Sequence, residues 1–172
     1  LQGTAAAGAS LLIAGSRASG KVLGANDRLR IAVAGVNGRG QSHIQGWLEQ
    51  ENVEIAYLID PDRNVLDRAM RRLESKTEGR FTCRGLADVR EALDDGELNA
   101  ISIAAPNHWH SLMTIWAAER GKHVYVEKPM SHDVVEGRVA LDAQQKYGVV
   151  VQHGTQTRSS AKVAGLHEAI QA

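Results

Sequence analysis

The chain of 172 residues contains one cysteine, Cys83, which leaves no intramolecular disulfide framework and no cysteine-rich zinc site. Aromatic residues make up 4%, too few for a platform on which single-stranded nucleic acid stacks. Neither sign of charge dominates, because 20 basic residues balance 20 acidic ones. That balance argues against nucleic acid or an anionic membrane as the main partner, since both select a basic face. No apolar run approaches the roughly 20 residues that a membrane-spanning helix requires. The length allows one full hydrophobic core and hardly two. What remains is one globular domain that handles a small molecule.

Both ends of the chain depart from that domain. Residues 1–16 carry no charge, Leu11, Leu12 and Ile13 form an apolar centre, and small and basic residues follow to Ala25. This arrangement resembles the apolar and cleavage regions of an export signal; an alanine-rich disordered tail is the plainer alternative. Residues 1–27 are therefore set apart from the fold. At the other end a helical pattern of Val163, Leu166, His167 and Ile170 runs to Ala172 without a cap. The expectation is a fragment, with 156–172 starting the connection to an absent second α/β domain.

Between the ends, short apolar runs alternate with amphipathic stretches. Strands are expected at Leu29 to Ala34, Val53 to Ile59, Ala100 to Ala105, His123 to Val126 and Val149 to Gln152, with a short edge strand at Phe81 to Cys83. Helical spacing joins Ile44, Trp47 and Leu48, then Val65, Leu66, Ala69, Met70 and Leu73. Trp109, Leu112, Met113, Trp116 and Ala117 form one expected buried stripe, and Val135, Val139 and Leu141 belong to a further expected helix. Asp88 with Glu91 and Asp133 with Glu136 are spaced as capping boxes. Strands separated by helix-length stretches require crossover connections and a parallel sheet. The reading is α/β: a doubly wound, Rossmann-like parallel sheet over residues 28–155.

The first strand runs into Gly35-Val36-Asn37-Gly38-Arg39-Gly40 and then a helix. Such a turn presents unpaired backbone N–H groups at a helix N-terminus, where they and the helix dipole hold a pyrophosphate. Gly35 permits the tight turn and Gly40 lets the helix approach the sheet. Asn37 stands where the pattern has a middle glycine, and asparagine tolerates left-handed geometry better than most residues. Asp60, 20 residues after Gly40 at the end of the second strand, is placed to accept hydrogen bonds from ribose hydroxyls. A carboxylate there repels a 2′-phosphate and favours NAD, while Arg63 or Arg39 offers to offset the repulsion, so NADP stays open.

Two further strand ends, Ala105-Pro106-Asn107-His108-Trp109-His110 and Glu127-Lys128-Pro129, point at the same crevice. Lys128 is the most reactive side chain among them, a movable proton donor or a fixed positive charge. His108, His110, His123 and His132 invite a metal reading, but His108 and His110 diverge at a helix start and no acidic ligands accompany them. No metal is expected. The three tryptophans read as core, with Trp109 alone near the crevice, and Cys83 reads as an inert core residue.

With the Ala34 to Gly40 turn, the Pro106 to His110 segment, Glu127-Lys128-Pro129-Met130 and His153 to Ser159, the chain resembles the Gfo/Idh/MocA family of glucose–fructose oxidoreductase, inositol dehydrogenase and MocA. The likeness covers roughly Arg28 to Ser160, and Glu-Lys-Pro at a strand end is its most specific part. It implies an NAD(P)-dependent oxidoreductase that transfers hydride between nicotinamide and a sugar, cyclitol or related polyol. In that frame Lys128 is catalytic, Glu127, Pro106 and Asn107 line the nicotinamide half, Gln156 approaches it, and His110 sits near the cofactor. The resemblance also implies a histidine and an aspartate from the second domain, a homo-oligomer, and twin-arginine export to the periplasm. The arginine pair of that route is absent from residues 1–27. Two alternatives stay open: a dinucleotide-binding fragment without activity, and a glycoside hydrolase that uses NAD transiently.

Overall fold

The computed structural model describes residues 28–79 and 82–171; the expected export tail lies outside them. Six strands, β1 (Leu29–Ala34), β2 (Val53–Ile59), β3 (Arg84–Leu86), β4 (Ala100–Ile103), β5 (His123–Glu127) and β6 (Val151–Gly154), form one sheet. Every neighbouring pair is parallel, in the order β3-β2-β1-β4-β5-β6. Five helices flank it, α1 (Gly38–Leu48), α2 (Arg63–Thr77), α3 (Val89–Leu93), α4 (His110–Glu119) and α5 (Val134–Tyr147), and α6 (Ala161–Gln171) follows the last strand. The chain builds outward from β1 to β3 and then returns to lay β4 on the other side of β1. That reversal makes the topological switch point where ligands bind in open α/β sheets.

Alternation along β1 divides the core. Ile31 and Val33 pack with Ile44 of α1 and Val65, Leu66, Ala69 and Leu73 of α2, whereas Ala32 and Ala34 face Val89, Ala92, Leu93 and Ala117 of α3 and α4. Burial on both faces is why these strands read as continuous apolar runs. Asp62 caps α2 by accepting from the Asn64 and Val65 N–H groups, and Asp88 accepts from Arg90 N–H ahead of α3. Asp133 accepts from Glu136 N–H, while the Glu136 carboxylate accepts from His132 N–H rather than closing a reciprocal box.

Two expectations need correction. The third strand is Arg84–Leu86; of the edge strand expected at Phe81 to Cys83, Phe81 lies outside the described residues and Cys83 precedes the strand, half-buried against Met70, where burial pushes its thiol up to about 12. The helical stripe from Trp109 to Ala117 is buried only in part: Ala117 is in the core and Met113 and Trp116 pack against it half-buried, whereas Leu112 is exposed. The buried residues of α4 are His110, Ser111, Thr114, Ala117 and Ala118, while Trp109 is 40% exposed. Where α4 lies against α5, Ala118 packs with Ala143 and Val149, and Ile115 joins them half-buried. Helix α5 is likewise buried through small residues. Its buried face is Ala140 and Ala143, and Val135 and Val139 point outward.

Candidate functional site

A cleft of about 800 Å³ opens at the switch point, between the ends of β1 and β4. It falls within the roughly 300–1,000 Å³ usual for small-molecule sites. Gly35, Asn37, Gly38 and Arg39 form one wall, Asp60 closes the β2 end, and Ala105 and Pro106 form the opposite wall. Gly35 has φ +80°, and a Cβ there would lie 2.5 Å from the Ala105 nitrogen. A Cβ on Gly40 would lie 1.8 Å from the Gly35 carbonyl oxygen. Both glycines are thus required by contact, and the N-terminus of α1 is drawn tight against the strand ends. Asn37 has φ −80°, so the turn makes no left-handed demand at that position, contrary to the expectation from its sequence.

The first amides of α1 have no partners within the helix, and the helix dipole adds partial positive charge beside them. Asp60 Oδ2 accepts from Val36 N–H at 3.1 Å and Oδ1 accepts from Asp62 N–H at 3.0 Å. A carboxylate has about four lone-pair directions, so acceptor capacity remains for a ligand. An unexpected apolar wall completes the cleft. Trp109 and Trp116, with ring centroids 6.4 Å apart, stand with Met113 on its far side, and Arg90 lies over Trp116 at 5.4 Å. Arg90 is also paired with Asp88 through two of its nitrogens.

The other expected residues occupy a different layer. Glu127, the last residue of β5, is buried at 5% exposure and does not line the cleft. Its Oε1 accepts from Arg39 Nε at 2.6 Å, from His43 Nε2 at 3.1 Å and from the Gln156 amide. Its Oε2 accepts from the Lys128 backbone N–H at 3.0 Å. Burial alone would raise this carboxyl, but the hydrogen bonds from Arg39, His43 and Lys128 outweigh it and hold it at about 2. Arg39 is therefore committed to Glu127 rather than to a 2′-phosphate.

Lys128 is exposed, and its ammonium has no partner among the described residues. His110 lies beneath the cleft, its ring nitrogens 2.6 Å and 2.8 Å from the carbonyls of Pro129 and Ala105. It ties the β4 and β5 exit loops together. Arg63 and Asn107 are exposed and outside the cleft lining, and Gln156 reaches the site only through Glu127.

Sequence reasoning missed His43 and Ser102. His43 Nδ1 lies 2.9 Å from Ser102 Oγ, which completes a buried Ser–His–Glu array. The order of ring nitrogens is the reverse of that in serine hydrolases, and Ser102 is fully buried mid-strand, so the array is not a nucleophile. The available signal was a serine inside a strand covered on both faces, since buried polar groups need partners.

Three kinds of comparison agree with this geometry. Residues 29–155 match the family model described as "Oxidoreductase family, NAD-binding Rossmann fold". A "Glycosyl hydrolase family 109 protein" of Shewanella baltica is 30% identical over 136 residues, which are 77% of this chain and 29% of that protein. WlbA dehydrogenase of Chromobacterium violaceum, solved with NADH and UDP-GlcNAcA, is 25% identical with TM-score 0.74, covering 86% of this chain and 41% of that one. Myo-inositol 2-dehydrogenase of Lactobacillus plantarum shares the fold, with TM-score 0.70, 21% identity and coverage of 84% and 41%. The chain thus spans under half the length of these proteins. A switch-point cleft closed by two obligatory glycines and Asp60, together with a family match across the whole sheet, leads to one assignment: the chain belongs to the Gfo/Idh/MocA oxidoreductases and carries their NAD-binding Rossmann fold.

Proposed function

We propose that the protein is an NAD-dependent dehydrogenase of sugars, cyclitols or related polyols, and that this chain supplies its dinucleotide site and one catalytic side chain. The observation that carries the reading is the fit of Gly35, Gly40 and Asp60 around the cleft. The free amides at the start of α1 bind the pyrophosphate, Asp60 takes the ribose hydroxyls, and Trp109, Met113 and Trp116 offer an apolar face to the adenine. The chemistry that NAD supplies when bound is acceptance of a hydride. Lys128 hydrogen-bonds the substrate hydroxyl and stabilises the negative charge that grows on its oxygen as the neighbouring C–H bond is broken.

NAD is preferred to NADP. Asp60 and Asp88 both stand at the ribose end, Arg90 is neutralised by Asp88, and Arg39 is held by Glu127. No cleft arginine is left unpaired to receive a second phosphate there. Titration of NADH and NADPH, followed by energy transfer from Trp109 and Trp116, tests both statements. NADH should bind at least about tenfold more tightly, a difference of roughly 1.4 kcal/mol. Equal affinities would overturn the preference, and no binding of either would overturn the function.

The naming of the 30% identical relatives as glycosyl hydrolases favours a second reading. In it a sugar hydroxyl is oxidised and later reduced again by the same bound cofactor, with cleavage of the glycosidic bond between. Net NADH release accompanies product only in the dehydrogenase reading.

A further inference from the structure

We propose that His43 is a positioning residue, which fixes the Glu127 carboxylate and through it the direction in which Lys128 leaves β5; this rests on the reading that Lys128 faces bound NAD. A buried carboxylate is tolerated only when its lone pairs are met, and Glu127 has four donors. They differ in rigidity. The Arg39 side chain is 49% exposed and Gln156 is exposed, so protein packing encloses neither donor as it encloses His43. His43 is buried at 7%, with its ring packed edge-on against Tyr125 at 5.3 Å and 78°.

The hydrogen bonds assign the tautomer. Glu127 is ionised and can only accept, so His43 Nε2 carries the proton and donates to it. Burial holds the His43 imidazole below its ordinary value, against the opposing hydrogen bond to Glu127, so the ring is neutral. Nδ1 then accepts from the Ser102 hydroxyl, and every polar atom in the chain Ser102–His43–Glu127 is used. Ser102 sits in the middle of β4, paired with Val33 and Tyr125 in the sheet. The array thus transmits a fixed point at the sheet centre to Glu127 Oε2, which accepts the Lys128 N–H. The consequence for Lys128 follows from leverage. A backbone rotation at the strand end swings a four-carbon side chain by more than an ångström, and misplacement on that scale costs about a hundredfold in reactivity.

The test needs no substrate. The whole protein is trace-labelled with acetic anhydride with and without NAD, and acetylation of Lys128 is read by mass spectrometry against Lys146 on α5 as the internal standard. In the parent protein NAD should slow labelling of Lys128 about tenfold or more, as expected for an amine covered by a bound ligand. In His43→Ala the NAD dissociation constant should stay within about threefold, a change under 1 kcal/mol, while protection of Lys128 falls to less than about twofold. His43→Gln, whose amide donates where Nε2 did, should restore at least half of the protection. Full protection in His43→Ala overturns the proposal, because a histidine that only fills space would leave Lys128 in place. Should His43→Ala fail to fold, Ser102→Ala takes its role: partial loss of protection supports the proposal and none overturns it. Lack of NAD binding or of Lys128 protection in the parent protein is a different failure. It falls on the proposed function and removes the proposal with it.

Discussion

A methyl group at position 40 would lie 1.8 Å from the Gly35 carbonyl oxygen, with no flexible side chain able to yield. At position 38, inside the same motif, nothing lies within 4 Å of the added carbon. Gly40→Ala should therefore cost about 3 kcal/mol or more, as severe overpacking does, and abolish dinucleotide binding with it. Gly38→Ala should leave stability unchanged or raise it by about 0.5 kcal/mol, since alanine is the better helix former. Urea denaturation of the two variants checks this, and equal losses would mean that the turn tolerates neither. At this scale the sequence was legible where sterics act locally. Gly35 and Gly40 sit in a spacing that names their work. Asn37 was misjudged because its backbone angle, φ −80°, is set by the start of α1 and not by the residue type.

At the scale of elements, α1, β4 and β5 are joined by Glu127 and His43, and both respond to acid in the same direction. Glu127 is held at about 2, below its ordinary value, so its stabilisation is complete above about pH 4.5 and is lost as pH falls toward 2. His43 is also depressed, so below about pH 6.5 the unfolded chain binds a proton that the folded chain refuses. Stability should thus decline from pH 6.5 downward and steepen below pH 4.5. Glu127→Gln, less stable at pH 7, should show a shallower fall on further acidification, measured by denaturant midpoints at each pH. Parallel pH curves for the two proteins would show that the acid-sensitive groups lie elsewhere. Element identity was readable from periodicity, but the inward face of α4 was so only in part. A period of 3.6 residues states that a helix has a face, whereas the width of the gap it fills decides whether tryptophan or alanine occupies that face.

Across the whole molecule, stability resides in the sheet and α1 to α5. Helix α6 follows the short turn Gln156–Ser159, its Leu166 and Ile170 are 62% and 76% exposed, and α6 packs chiefly against that turn. Deleting residues 161–171 should shift the unfolding temperature by less than about 2 °C, the effect of a change near 0.5 kcal/mol in a domain of this size. A larger drop, measured by calorimetry, would show that α6 holds the sheet.

The sequence by itself determined the architecture, because strands buried on both faces and helices wetted on one must alternate in hydrophobicity, and that alternation admits only parallel crossovers. It also determined the glycine turn, Asp60 and the two exit loops, since each is a local steric or capping requirement written within a few residues. Tertiary structure alone decided the partners of Glu127. Arg39 and His43 on α1, Ser102 on β4 and Gln156 after β6 lie up to 88 positions from Glu127 along the chain, and no spacing rule relates them to a carboxylate they meet, Ser102 by way of His43, only when α1, β4, β5 and the turn after β6 come together. It likewise decided which side chains wall the cleft, because the room between sheet and helix is a property of the packed layers and of no single segment.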